Sequence, residues 1–333
     1  MKKVFSFFVI FLVSLMTFSI GISDLFIEAQ KTLGDYKISV MDFELANMDF
    51  ERSKIESINK KTELMGNLNY FNATSSYLNS LNKFYTDVSN RLFNVINSEL
   101  SVSMSEVQKN NAEIDYKNNK ALFEKGLITE DTLTQSKISL NDVEIDLQNK
   151  NLNFENAMND FTEASSMDYK SIEVKLYDPK KIFKTDEEYL SNNYSLKTTK
   201  ISLEIAQYDL DNLPSNASEY DKKSYQIKVE KNKINLNSLK NTLIKTHKNT
   251  KNSITSTYNT LNNLKEKMKL KENDFMDAQS RYNKGLISEK ELNTSKISFL
   301  SSKSSYYNTL KNYYNLIINY ILDFNEKPEE VLN

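Results

Sequence analysis

The sequence contains no cysteine. That absence excludes disulfides, thiolate metal sites and a lipidated N-terminal cysteine. Glycine and proline are nearly as scarce, five and three in 333 residues, against usual shares of roughly 7% and 5%. A compact fold of this length needs many connections, and this chain has few turn residues with which to make them. The scarcity argues for a few very long helices. Histidine occurs once, as His247 in a stretch rich in Lys and Asn, with no second histidine or cysteine to complete a metal site. It reads as a solvated helix residue. No glycine-rich phosphate loop, Gly-x-Ser-x-Gly elbow or histidine-based triad is present, so no enzyme and no cofactor is expected.

Apolar runs are also few. The first residues have the order of an export signal: Lys2 and Lys3, an apolar stretch over 4–20, then the small residues Gly21 and Ser23. The sequence predicts a signal peptide over 1–23 and a mature chain from about Asp24. The competing reading is a retained membrane anchor, against which stand the serines and the threonine inside the stretch. No later run approaches the roughly 20 apolar residues of a spanning helix. Loss of Lys2 and Lys3 would take the formal charge from −2 to −4. Lys and Asp/Glu are interspersed throughout, which gives no footprint for nucleic acid. A hydrophobic share of 39% suits elongated helices that bury a seam.

What the chain does contain is a repeat. Residues 123–140 and 282–299, offset by 159, agree at ten of eighteen positions and share Lys-Gly-Leu-Ile at 125–128 and 284–287. A tandem duplication is the simplest origin. Each copy carries the signals of one helix ending and another starting: Gly126 or Gly285 to stop the first without a Cβ clash, then Thr129 or Ser288 to cap the next. Glu130, Asp131, Glu289 and Glu291 fall in the first turn of the new helix, at its positive end. Leu127, Ile128, Leu286 and Ile287 sit on the turn itself, where a solvent-facing loop would hold polar residues.

Around the turns the apolar residues recur three and four apart. Ile297, Leu300, Ser304, Tyr307, Leu310, Tyr314, Ile317, Ile321 and Phe324 form a coiled-coil seam, with Leu140, Val143, Leu147, Phe154, Ala157 and Phe161 as its counterpart in the first copy. Tyr306, Tyr307, Tyr313, Tyr314 and Tyr320 are expected in the core. The pattern predicts helices over about 25–61, 77–123, 188–212 and 220–282, broken at 65–74, 167–187 and 213–218. The predicted organisation is a first helical-hairpin repeat over 24–166, a linker over 167–187, a second repeat over 188–325 and a tail over 326–333. The fold class is all-α, two tandem repeats of long coiled-coil hairpins.

An exported chain with a twofold repeat, very long helices and Tyr282-Asn-Lys-Gly-Leu-Ile-Ser-Glu-Lys-Glu-Leu-Asn-Thr-Ser at its turn resembles the TolC-like outer-membrane efflux protein family. The weaker copy of that motif runs over 123–136. The resemblance implies a homotrimer whose hairpins form a tunnel across the periplasm. It implies a periplasmic adaptor (membrane-fusion) protein and an inner-membrane pump as partners, and a place in the outer membrane or periplasm. It also implies that Gly126, Leu127, Ile128, Thr129, Gly285, Leu286, Ile287 and Ser288 are the tips that meet the adaptor. Ser136 and Ser295 stand where the family usually has Ala, a small-for-small change. The family's strands are reduced or absent here: 66–76 could make one poor strand from Leu68, Tyr70, Ala73 and Ser75, and 213–220 none.

Two readings of several features stay open. Gly126 and Gly285 are either plain helix caps or docking tips. Glu130, Asp131, Glu289 and Glu291 either stabilise helix starts or ring the narrow end of a tunnel and favour cations. The whole chain is either the exit duct of a tripartite efflux or type I secretion system, or a periplasmic coiled-coil structural or adaptor-like protein that does not span the outer membrane.

Overall fold

A computed structural model describes residues 20–332. Residues 1–19, and with them most of the signal peptide expected over 1–23, lie outside the described residues. A two-residue strand β1 (Ile20–Gly21) leads into α1 (Ile22–Thr32), α2 (Gly34–Glu56), α3 (Lys60–Glu124) and α4 (Glu130–Ala164). The linker holds a short β2 (Ile172–Glu173) and two single 3-10 turns. Then follow α5 (Asp186–Asn192), α6 (Tyr194–Asp211), α7 (Glu219–Asn283), α8 (Glu289–Leu322) and a small α9 (Pro328–Val331). The duplication is plain in the lengths: α3 and α7 have 65 residues each, and α4 and α8 have 35 and 34.

The long helices lie side by side in one layer. On the turn side the order is α4, α3, α8, α7; on the other side it is α2, α3, α6, α7. One edge is therefore α2 followed by α4, and the other is α7 alone. The two repeats join at α3 and α8, through Asn82 to Asn319, Asn90 to Asn315 at 3.0 Å and Asn111 to Asn293 at 2.8 Å. The core lies where the linker, α1 and the far half of α8 come together, with Phe26, Val88, Phe93, Leu310, Ile317 and Ile318 fully buried. Burying each such side chain contributes on the order of 1.5–3 kcal/mol before entropy is counted. The expected seam of α8 is present, but burial extends beyond it to Tyr306, Tyr313 and Tyr320, because α8 has α3 on one side and α7 on the other.

Three expectations from the sequence are corrected. The predicted break at 65–74 does not exist, and with it goes the poor strand: α3 runs unbroken from Lys60, and the chain turns at 57–59 instead. Gly66 is a packing residue, since a Cβ there would lie 2.5 Å from Ser53 Oγ of α2. Its small size lets the two helices meet, and further along the same contact Phe50–Tyr70 and Phe43–Tyr77 stack at 4.3 and 4.4 Å. The predicted 25–61 helix is two helices, parted at Leu33, because α1 turns its Leu25, Phe26 and Ala29 into the core while α2 buries nothing. Lastly, His247 is fully buried.

The histidine binds the linker to the bundle. The hydroxyl of Tyr320 accepts from Lys184 N–H at 3.0 Å, which leaves its proton for His247 Nε2 at 3.0 Å. Nδ1–H of the same ring then donates to Asp186 Oδ1 at 2.7 Å. Tyr189 stacks on the imidazole at 4.5 Å. That hydrogen bond is the first cause holding the Asp186 carboxyl below its ordinary pKa.

The folded unit also takes in residues that the sequence places in the leader. Ile20 and Gly21 pair with Ile172 and Glu173, and Ile22 and Ser23 are buried. At the other end, the tail over 326–333 is tied in: Glu329 is buried and accepts from Gln30 Nε2 at 2.8 Å.

Candidate functional site

Both Lys-Gly-Leu-Ile turns fold in the same way and at the same end of the layer. Gly126 and Gly285 have φ of 69° and 70°, the left-handed region that a Cβ disfavours. Each turn closes with the same pair of backbone bonds. Gly126 N–H donates to Phe123 O at 2.8 Å and Leu127 N–H to Leu122 O at 3.0 Å; Gly285 donates to Tyr282 O at 2.8 Å and Leu286 to Arg281 O at 2.9 Å. This is a Schellman stop, which satisfies carbonyls that the helix end would leave open. No atom lies within 4 Å of the place a Cβ would take at either glycine. The glycines are thus required by backbone conformation and not by crowding.

The helices that follow are capped by side chains. Thr129 accepts from Thr132 N–H at 3.3 Å. Ser288 and Glu291 form a full capping box, with Glu291 Oε2 accepting from Ser288 N–H at 2.8 Å and Ser288 Oγ accepting from Glu291 N–H at 3.2 Å. The backbone hydrogen bond to Ser288 is the first cause that lowers the pKa of Glu291. Glu289 accepts from Asn110 Nδ2 at 2.7 Å, and Lys290 pairs with Asp115 at 2.6 Å. These two contacts anchor the second turn on the first hairpin. They also fix a stagger: Asp115 lies eleven residues before Gly126 and Lys290 five after Gly285, so the first turn reaches further by about 9 Å at 1.5 Å per residue.

Of the eight tip residues, two large apolar ones are exposed. Leu127 and Leu286 are each 67% exposed, whereas Ile128 and Ile287 are half-buried beneath them. Of the four acids, Glu130 and Asp131 are exposed in the first turn of α4, and Glu289 and Glu291 are held by the contacts above. Among the described residues no cluster of three or more His, Cys, Asp or Glu could hold a metal ion. Among them, too, no helix is long and apolar enough to cross a membrane, and β1 and β2 are the only strands. The residue that sequence reading misjudged, His247, had a signal: it lies four after Leu243 and seven before Ile254, a seam position of α7.

No family model matches the chain, and no curated protein does. Solved structures do. A membrane protein from Pseudomonas aeruginosa is 8% identical, with a TM-score of 0.58 over 93% of this chain and 91% of its own. The Campylobacter jejuni CmeC outer membrane channel is 14% identical, with a TM-score of 0.54 over 91% of this chain and 85% of its own. The open state of the Neisseria gonorrhoeae MtrE outer membrane channel is 9% identical, with a TM-score of 0.54 over 94% of this chain and 93% of its own. With its duplicated long hairpins, its capped turns at one end and this likeness along nearly its whole length, the chain has the fold of the TolC-like outer-membrane channels.

Proposed function

We propose that this chain is a protomer of an exit duct in a tripartite efflux or type I secretion system. In this reading it is a homotrimer, exported behind a cleaved signal peptide, that docks a periplasmic adaptor protein and, through it, an inner-membrane pump. The observation that carries the reading is the repeated tip. Two copies of one rigid turn stand at the same end of a layer of helices roughly 100 Å long at 1.5 Å per residue, and each presents an exposed leucine over a half-buried isoleucine. A helix stop needs the glycine and the hydroxyl cap; it does not need an apolar side chain in water. An exposed apolar anchor on a rigid turn suits a protein partner. Glu130, Asp131, Glu289 and Glu291 lie one turn inside the tips, where a ring of copies would collect them into an acidic narrow end.

Leu127→Asp and Leu286→Asp test the docking role, because they leave glycine, caps and backbone bonds in place. Cross-linking in cell envelopes should capture an adaptor on the wild-type chain and lose it in the double variant at unchanged helicity. Equal capture by both would refute the role.

A second reading is favoured by one observation. At the end opposite the tips, residues 57–59 and 212–218 are short turns between helices, where the resemblance leads one to expect strands. A periplasmic protein that shares the fold without spanning the outer membrane fits that end. Fractionation separates the two: recovery in the soluble periplasm supports this version, and firm retention in outer-membrane fractions rules it out.

A further inference from the structure

The three most exposed large apolar side chains among the described residues stand together at the end opposite the tips. Ile58, on the turn between α2 and α3, is 88% exposed; Ile55, in the last turn of α2, is 86% exposed; Tyr220, at the start of α7, is 81% exposed. Polar side chains would join these helices equally well, so the two isoleucines and the tyrosine serve something outside the layer. The two turns belong to one surface. Lys61 of α3 and Lys228 of α7 both reach Asp209 near the end of α6, at 2.7 and 3.8 Å. Ile58 lies three residues beyond Lys61 and Tyr220 eight beyond Lys228, so the second turn stands further out by no more than about 8 Å. The helix ends at this surface are closed by their own side chains. Asn59 accepts from Thr62 N–H and Ser218 Oγ from Asp221 N–H, both at 3.0 Å. Ser57 Oγ donates to Ser53 O at 2.6 Å, and Asn212 Nδ2 to Tyr208 O at 2.8 Å. Backbone groups with such partners cost less to remove from water.

We infer that this end rests on a lipid surface, with Ile55, Ile58 and Tyr220 set into the headgroup region of a bilayer that the two turns do not cross. From the proposed function the inference takes only the orientation, tips toward the adaptor, which makes the lipid that of the outer membrane's inner surface. Three features select lipid over a protein partner. Side chains that project singly from two separate turns offer no packed patch for a rigid partner to match, whereas a bilayer needs no matching shape. The stagger between the turns lies within the roughly 5–10 Å over which interfacial side chains are buried. Tyr220, Lys54, Lys60 and Lys222 are of the types that lay an apolar body in the interface and keep a polar end in water. Those lysines pair with Glu51, Glu63 and Glu219, so the contact is apolar and not a charge attraction. It is also shallow. Fully extended, residues 212–218 would reach about 23 Å, short of the roughly 30 Å hydrocarbon core.

The chain contains no tryptophan, so single tryptophans report the contact cleanly. In the exported chain, Ile58→Trp and Tyr220→Trp should shift their emission to the blue when vesicles of phosphatidylethanolamine and phosphatidylglycerol are added, and brominated lipid should quench them. Ile145→Trp, at an exposed site halfway along α4, should do neither. Ile58→Asp with Tyr220→Asp should weaken vesicle binding by about tenfold or more at unchanged helicity, and high salt should leave wild-type binding as it is. Unchanged emission on lipid addition, an equal response at Ile145→Trp, or binding that high salt abolishes overturns the inference. So does a blue shift of Ile58→Trp on concentrating the chain without lipid, the mark of copies meeting at this end. Adaptor capture at the tips is scored separately, so loss of lipid binding with capture intact defeats this inference alone, and loss of capture with lipid binding intact defeats the duct reading alone.

Discussion

Replacing His247 with phenylalanine isolates what the buried hydrogen bonds of this histidine contribute. The aromatic ring stays, so the stack on Tyr189 at 4.5 Å is kept and no cavity forms. What goes is the acceptor for the Tyr320 proton at 3.0 Å and the donor to Asp186 at 2.7 Å. Asp186 is partly open to water and can be solvated again. Tyr320 is buried and cannot. An orphaned buried donor costs about 1–3 kcal/mol. The first thing this loosens is the linker, because Lys184 N–H donates to the same hydroxyl. Hydrogen exchange reads it directly. If the Lys184 amide exchanges by local opening, its rate should rise by about 5-fold to about 150-fold, one decade for each 1.4 kcal/mol. Exchange in the middle of α8 should not change. A Lys184 amide that exchanges at the wild-type rate would refute the account of the clamp, and Tyr320→Phe, which removes both contacts, should exceed His247→Phe in effect.

Three further expectations follow from the geometry. Gly126→Ala and Gly285→Ala should each cost about 1–2 kcal/mol, the penalty of a left-handed L-residue; Gly→Asn should cost less, and thermal melting that ranks Asn no better than Ala would contradict the conformational argument. The Asp186 carboxyl has a lowered folded-state pKa, so its contribution is present above the unfolded value near 3.9 and is lost as pH falls through the folded one. Asp186→Asn should therefore weaken the protein at neutral pH and flatten the acid limb of its stability curve, and an unaltered acid limb would show that the pair contributes nothing. The exported chain should begin at or before Ile20, since Ile20 and Gly21 form β1 and Ile22 and Ser23 are buried; N-terminal sequencing that starts at Asp24 would contradict this.

Much of the fold could be read from the sequence, for reasons that are local. Helix stops at Gly126 and Gly285 depend on a few adjacent residues, and both appear as expected, down to the Ser288 cap. The seam of α8 and the break at 213–218 depend on periodicity and on one Pro-Ser-Asn run, which are also local. The failures were all tertiary. Gly66 and the asparagines around it look like a break until Ser53 of α2 is seen to occupy the space a side chain would need. His247 looks solvated among lysines, but it lies on the line of Leu243 and Ile254, and its neighbours Lys248 and Lys251 reach the same linker, at Asp186 and the Lys184 carbonyl. The pairing of Ile20 and Gly21 with Ile172 and Glu173 could not be read either, because nothing near them in the chain announces the partner strand. The tip leucines form a middle case: their place on the turn was legible, their exposure came from the structure, and what binds them is a proposal that geometry supports and composition could not supply.

The central claim is that the long hairpins line a duct, and an end-on view tests it most directly. Single-particle electron microscopy of the purified chain should show a hollow ring with threefold symmetry and, from the side, walls roughly 100 Å long, the length of α3 at 1.5 Å per residue. Slender single rods, or a bundle with no central opening, would contradict the account.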